Sequence, residues 1–159
     1  MNDLLKLLRK NARLSNAELA VMLGRTEEDI AAEITQLECD GIIRGYTAVI
    51  DSEALDRDVV SALIELRVAP KAQSGFDDIA KIVSQYDEVE SVTLMSGAYD
   101  ISIRITGSSL RTISQFVAQR LSAIDGVLST ATHFVLKSYK ENGIHMTNDD
   151  IDERGFVSP

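Results

Sequence analysis

An α+β architecture is predicted: a helix-turn-helix, winged-helix-like unit over residues 1–50, then a ferredoxin-like unit over residues 59–138. Two observations carry this. Apolar residues recur at three- and four-residue spacing as far as Leu37, and beyond Gly41 the period falls to two. From Val59 onward a strand and helix pattern then runs through twice, in the order β-α-β-β-α-β.

The first helix is expected over residues 3–11, with Leu4, Leu5, Leu7 and Leu8 on its inner face. The second opens at Ser15-Asn16-Ala17-Glu18. There the serine can accept from the Glu18 amide while the glutamate reaches back, which is a capping box. Leu19, Ala20 and Leu23 face inward, and Gly24 closes the helix in a left-handed conformation. Thr26 caps the third helix, with Asp29 three residues on. Ile30, Ile34 and Leu37 form its buried stripe, and Gly41 ends it. Three helices with a short Gly-containing turn before the last match a helix-turn-helix.

Residues 42–50 are expected to form a single strand, and the polar residues 51–58 a linker. A strand over 59–68 carries Ala62, Ile64, Leu66 and Val68 on one face. A helix over 75–86 follows, with Phe76, Ile79, Ala80 and Val83 at helical spacing. A strand over 89–95 and the tight link Ser96-Gly97-Ala98 lead into a strand over 99–105. Ser108 is expected to cap a helix striped by Leu110, Ile113, Val117, Leu121 and Ile124, and the last strand spans 127–136. Two helices cover one sheet face. The other is expected to show Leu63, Leu94, Ala131 and Phe134 and so to meet a second subunit. The acidic residues 139–159 read as a flexible or partner-clasping tail.

Composition narrows the function. With 159 residues, 45% of them hydrophobic and 26% charged, the chain is neither fibrous nor wholly disordered. The single cysteine, Cys39, excludes an intramolecular disulfide and a CxxC zinc site, and is expected to be a packed thiol. No apolar run approaches the roughly 20 residues of a membrane span. The start of the chain lacks a signal-peptide profile, so a cytoplasmic location is expected. Neither metal nor cofactor is expected: His133 and His145 stand alone, without clustered carboxylates. The net charge of −9 argues against a simple nucleic-acid binder, and residues 1–50 carry six cations against eight acids.

A family resemblance enters on three stretches. Residues 11–20 (Asn-Ala-Arg-Leu-Ser-Asn-Ala-Glu-Leu-Ala) look like the passage between the first two helices of the leucine-responsive regulatory protein / asparagine regulator (Lrp/AsnC) family. Residues 37–48, from Leu37 through Gly41 to Ala48, are similar to its third-helix exit, and Gly97-Ala98-Tyr99-Asp100 fits the G-x-x-D signature of its effector domain. The resemblance covers about residues 1–138. It implies a transcriptional regulator that dimerises through its sheet faces, often assembles into octamers, and responds to small molecules, commonly amino acids.

The resemblance implies an effector site at Gly97, Ala98, Tyr99 and Asp100. A free amino acid is a zwitterion, so its pocket needs an acceptor for the ammonium and donors for the carboxylate. Asp100 supplies the first and the bare amides at Gly97 the second, with Thr130 and Thr132 as flanking hydroxyls. The plainer alternative is that Gly97 only permits the turn and Asp100 satisfies nearby amides.

For double-stranded DNA, the implied contacts are Arg13, Arg25 and Arg44 to phosphates, with Lys10 nearby, and Thr35 and Gln36 to base edges. Here the chain departs from the family. The third helix exposes Glu27, Glu28, Asp29, Ala31, Ala32, Glu33 and Gln36, where the family has a Ser/Pro-containing entry and one or more arginines. Three acids in the first turn suit the helix macrodipole but repel phosphate. A rival function therefore stands beside the first: a metabolite-sensing or partner-binding oligomer that no longer reads DNA. An enzymatic role is not expected. Haem-pathway decarboxylases share the two-part architecture, but no catalytic constellation accompanies His133 and His145.

Overall fold

A computed structural model describes residues 2–51, 59–69 and 75–146. The chain divides into two compact units, Met1–Ile50 with Lys140–Pro159, and Asp51–Tyr139. The linker expected at 51–58 and the tail beyond residue 146 lie almost wholly outside the described residues.

The first unit contains α1 (Asp3–Lys10), α2 (Asn16–Leu23) and α3 (Glu27–Cys39). Each start is fixed by a side chain that supplies an acceptor to an otherwise unpaired amide. The Asn2 Oδ1 accepts from Leu4 N–H, Ser15 Oγ from Glu18 N–H, and Thr26 Oγ1 from Asp29 N–H. Glu18 completes the capping box, and Gly24 closes α2 at φ 63°. Leu4, Leu8, Leu19, Ala20, Ile30 and Leu37 form the core, with Leu5, Leu7, Leu14, Leu23, Ile34 and Ile43 packed around it.

Two expectations fail in this unit. Residues 42–50, expected as a single strand, form no ladder among the described residues. A strand needs a neighbour for its amides, and the alternation of Tyr46, Ala48 and Ile50 does not supply one. Cys39 is exposed, not packed. It lies two residues past Leu37, which turns it away from the Ile30–Ile34–Leu37 stripe.

The second unit is a four-stranded antiparallel sheet in the order β2-β3-β1-β4. It is built from β1 (Val60–Val68), α4 (Asp77–Val83), β2 (Val89–Leu94), β3 (Ile101–Gly107), α5 (Leu110–Phe116) and β4 (Val127–Phe134). This is the ferredoxin-like order of elements. The core lies on the helix-covered face, where Ala62, Ile64 and Leu66 of β1 stand opposite Ile105, Ile103 and Ile101 of β3. The cap of α5 is Ser109, one residue later than expected, its Oγ accepting from Thr112 N–H. That helix continues as a π-helical turn, Val117–Leu121, in which Ser122 N–H reaches back to the Val117 carbonyl. The turn holds Arg120 beside Glu88 (3.1 Å) and over the rings of Tyr86 and Phe116, which meet edge to face at 5.3 Å.

The register corrects the expected second face. Phe134 lies opposite Ala62, which puts it on the covered side, packed against the core. Ala131 and Phe134 are three apart and cannot share a face of a regular strand. Leu94 lies opposite Ile101 and so also belongs to the covered side, although 58% of it is exposed at the sheet end. A bulge between Val89 and Ser91 is the reason: it puts both Val89 and Val92 against the core. The open face carries Leu63 and Ala131 among Glu65, Arg67, Ser102, Arg104, Ser129 and His133. It is a largely polar surface, on which His133 Nε2 lies 3.2 Å from Glu65 Oε2.

The tail begins with an unforeseen hairpin. Strands β5 (Lys140–Glu141) and β6 (Ile144–His145) pair across Asn142-Gly143, both at positive φ (47° and 89°). Asn-Gly between short strands is the strongest local hairpin signal.

Candidate functional site

Three hydrogen bonds tie the turn from β2 to β3 to the end of β1, and a fourth closes the turn on itself. Asp100 N–H donates to the Leu66 carbonyl (2.9 Å), and Met95 N–H donates to the Asp100 carbonyl (2.7 Å). The Asp100 Oδ2 accepts from Val68 N–H at 2.8 Å. The Arg67 guanidinium donates to the Ala98 carbonyl at 3.0 Å. Gly97 sits at φ 151°, a conformation that side chains disfavour, and nothing lies within 4 Å of where its Cβ would stand.

Asp100 therefore does what the plainer reading asked of it, with one oxygen. The other, Oδ1, meets no donor among the described residues and remains available to a cation. Ala98 is exposed and Tyr99 half-buried beside it. Thr130 and Thr132 are not brought to this turn. They pair with Leu66 and Ile64 on the far side of β1, half-buried on the covered face. Two strand spacings, about 10 Å, separate β4 from β3. Sequence reasoning misses Arg67 and the Val68 amide. They lie 31 and 32 residues from their partners, and no local pattern signals that. Exposed Leu94, Met95 and Leu128 stand at the same end of the sheet.

The helical unit places the expected DNA contacts less simply. Arg25 is engaged internally, Nη1 donating to Glu33 Oε2 and Nη2 to the Asp29 carbonyl at 3.3 Å. Glu33 also accepts from Asn2 Nδ2. Its carboxyl is held below the ordinary value, first by Arg25 and then by Asn2. Thr35 Oγ1 donates back to the Ala31 carbonyl (2.9 Å), and Gln36 Nε2 donates to Asp40 Oδ1 (2.8 Å). The Arg44 guanidinium lies against Gly41. Arg9, Lys10, Arg13 and Arg44 form no ion pair among the described residues, whereas Lys6 pairs with Asp3 at 2.7 Å. Opposite the buried stripe, helical spacing brings Glu28, Ala32, Thr35, Gln36 and Cys39 to the outer face of α3.

A family model described as the Lrp/AsnC ligand binding domain matches residues 61–144. Over 158 residues the chain is 40% identical to YugG of Bacillus subtilis (strain 168), described as an uncharacterized HTH-type transcriptional regulator, covering 99% of this chain and 95% of that one. Among solved structures, it is similar to a transcriptional regulator of Neisseria meningitidis in complex with L-Met, with a TM-score of 0.71 and 28% identity, covering 87% and 88% of the two chains. It is also similar to AsnC of E. coli, with a TM-score of 0.68 and 26% identity, covering 89% of this chain and 95% of that one.

Proposed function

We propose, from the premise that this chain belongs to the Lrp/AsnC family of transcriptional regulators, that it binds double-stranded DNA through α2 and α3 and an amino acid at the turn 96–100. The ligand shifts assembly or DNA affinity. One observation carries the effector site: Asp100 spends a single oxygen on Val68 and leaves the other without a donor among the described residues, three positions from a Gly97 that has open space where a side chain would stand. A free ammonium fits the oxygen, and exposed amides fit the carboxylate. The L-Met complex of the Neisseria relative supports an amino acid as the ligand class.

The chain acts as an oligomer of its own copies and not as an enzyme. Leu94, Met95 and Leu128, exposed together at the turn's end of the sheet, are what a subunit contact there would cover. An octamer and a cytoplasmic location belong to the same proposal. No helix of the described residues is long and apolar enough to cross a membrane.

Two measurements test it. A thermal-shift screen of the twenty amino acids should show at least one that raises the melting temperature, because a ligand of the native state stabilises it. A gel-shift titration with the DNA upstream of the protein's own gene should saturate and weaken steeply with salt. No shift at low salt, with the oligomer intact, would favour the second reading, a sensor that has lost DNA binding. The observation on its side is that Arg25, Thr35 and Gln36 are all bound within their own unit.

A further inference from the structure

The three-way contact of Arg25, Glu33 and Asn2 links the start of α1, the turn between α2 and α3, and α3. Arg25 follows Gly24 in the turn between α2 and α3, Glu33 lies midway along α3, and Asn2 caps α1. Asn2 uses both ends of its amide: Oδ1 accepts from Leu4 N–H at 2.9 Å, and Nδ2 donates to Glu33 Oε1. Glu33 receives Arg25 on its other oxygen, and the second arm of the guanidinium reaches the Asp29 carbonyl. The Arg25 and Glu33 side chains are only 35% and 26% exposed. A fork held on two acceptors is the geometry in which arginine is most strongly localised.

We infer that Arg25 is a positioning residue, clamped by Glu33 and Asn2 so as to fix how α3 is presented, and not a phosphate ligand; this rests on the DNA-binding reading above. A phosphate contact would require Arg25 to leave Glu33. That would leave the Glu33 carboxylate unpaired beside an incoming polyanion and add a like-charge repulsion to the loss of the ion pair. The same unit offers cations without that cost, since Arg9, Lys10 and Arg13 form no ion pair among the described residues. The clamp also withdraws Glu33 from the reading surface, leaving Glu28 as the only charge among Glu28, Ala32, Thr35, Gln36 and Cys39.

The two roles predict opposite results for Glu33→Gln. A fluorescence-anisotropy titration over a salt series would use the full chain with two duplexes, the DNA upstream of its gene and a scrambled control. A phosphate role frees Arg25 and removes a negative charge, so binding tightens. The clamp predicts binding to the upstream duplex weaker by about tenfold, the scale of one lost positioning interaction, with reduced preference over the scrambled duplex. The log–log salt slope should stay unchanged, whereas Arg13→Gln should lower it by about one. Arg25→Lys is the milder companion, for use if Glu33→Gln fails to fold. It keeps the charge but lacks the planar fork that spans Glu33 and the Asp29 carbonyl from two nitrogens, so the clamp predicts the same loss at the same slope. Tighter binding by Glu33→Gln, or near-native affinity in Arg25→Lys, would overturn the inference while DNA binding itself stood. Failure of the unaltered protein to bind either duplex at low salt would remove the DNA-binding reading and this inference with it.

Discussion

Replacing Asp100 separates its two duties at the β2–β3 turn. In the folded chain its Oδ2 accepts from Val68 N–H at 2.8 Å, in a partly buried setting. A hydrogen bond to a charged acceptor contributes about 1.5–3 kcal/mol, and removing the acceptor leaves the amide unsatisfied. Asp100→Ala should therefore cost about 2–3 kcal/mol, while Asp100→Asn, which keeps an oxygen there, should cost about 1. For a unit of this size, each kcal/mol lowers the melting temperature by roughly 4–8 °C. The expected losses are then about 10–20 °C for the alanine and about 5 °C for the asparagine variant. An amino acid at a hundred times its dissociation constant adds about 2.7 kcal/mol, a shift large enough to read in either background. Differential scanning calorimetry with and without each amino acid should show the asparagine variant folded, with its ligand-induced shift lost, because a neutral amide no longer attracts an ammonium. A full ligand-induced shift in Asp100→Asn would refute the effector assignment. An unchanged melting temperature in Asp100→Ala would refute the role of the Val68 bond.

The same structure sets other outcomes. Ile103→Ala empties a fully buried position in the middle of β3 and should cost about 2–5 kcal/mol, read as a lower denaturant midpoint with a similar m-value. The Glu33 carboxyl sits below its ordinary 4.5 because the fold favours its charged form. Its contribution is complete above that value and is lost as pH falls through the lowered one. As pH falls from about 5 to below 4.5 and on through the lowered value, the unaltered protein should lose more stability than Glu33→Gln, and parallel acid melts would count against the pairing. Gly143 stands at φ 89°, so Gly143→Val should open the hairpin, seen as faster amide exchange across residues 140–145 with the rest of the chain unaffected.

Features that local chemistry decides are legible from the residues alone. The Ser15–Glu18 box, the Thr26 cap and the left-handed Gly24 each depend on neighbours within a few positions, and the structure has all three. The β1 and β3 faces are legible because Ala62, Ile64 and Leu66, like Ile101, Ile103 and Ile105, keep an unbroken alternation. Leu94 falls on the other face from the one expected because a bulge upstream breaks that alternation in β2. At the candidate sites the turn is legible from Gly97 and Asp100. The groups that hold it are not, since Arg67 and Val68 arrive through the sheet register. Arg25 reads as a free cation because its partners, eight and four residues on, become neighbours only once the turn and α3 have formed. The Asn142-Gly143 hairpin carries a readable signal, masked by the acidic residues around it.

The wide turn at Val117–Leu121 has a consequence for how this chain tolerates change. Its backbone spends one more residue per hydrogen bond than the helix before it, as an inserted residue would require. Trimming one position from that stretch would let the coil tighten and rotate the residues beyond it. Leu121 would leave the interior, and Gly126, whose carbonyl receives Ala69 N–H at 2.8 Å, would arrive out of phase with β1. Length, more than side-chain identity, is what this stretch must conserve.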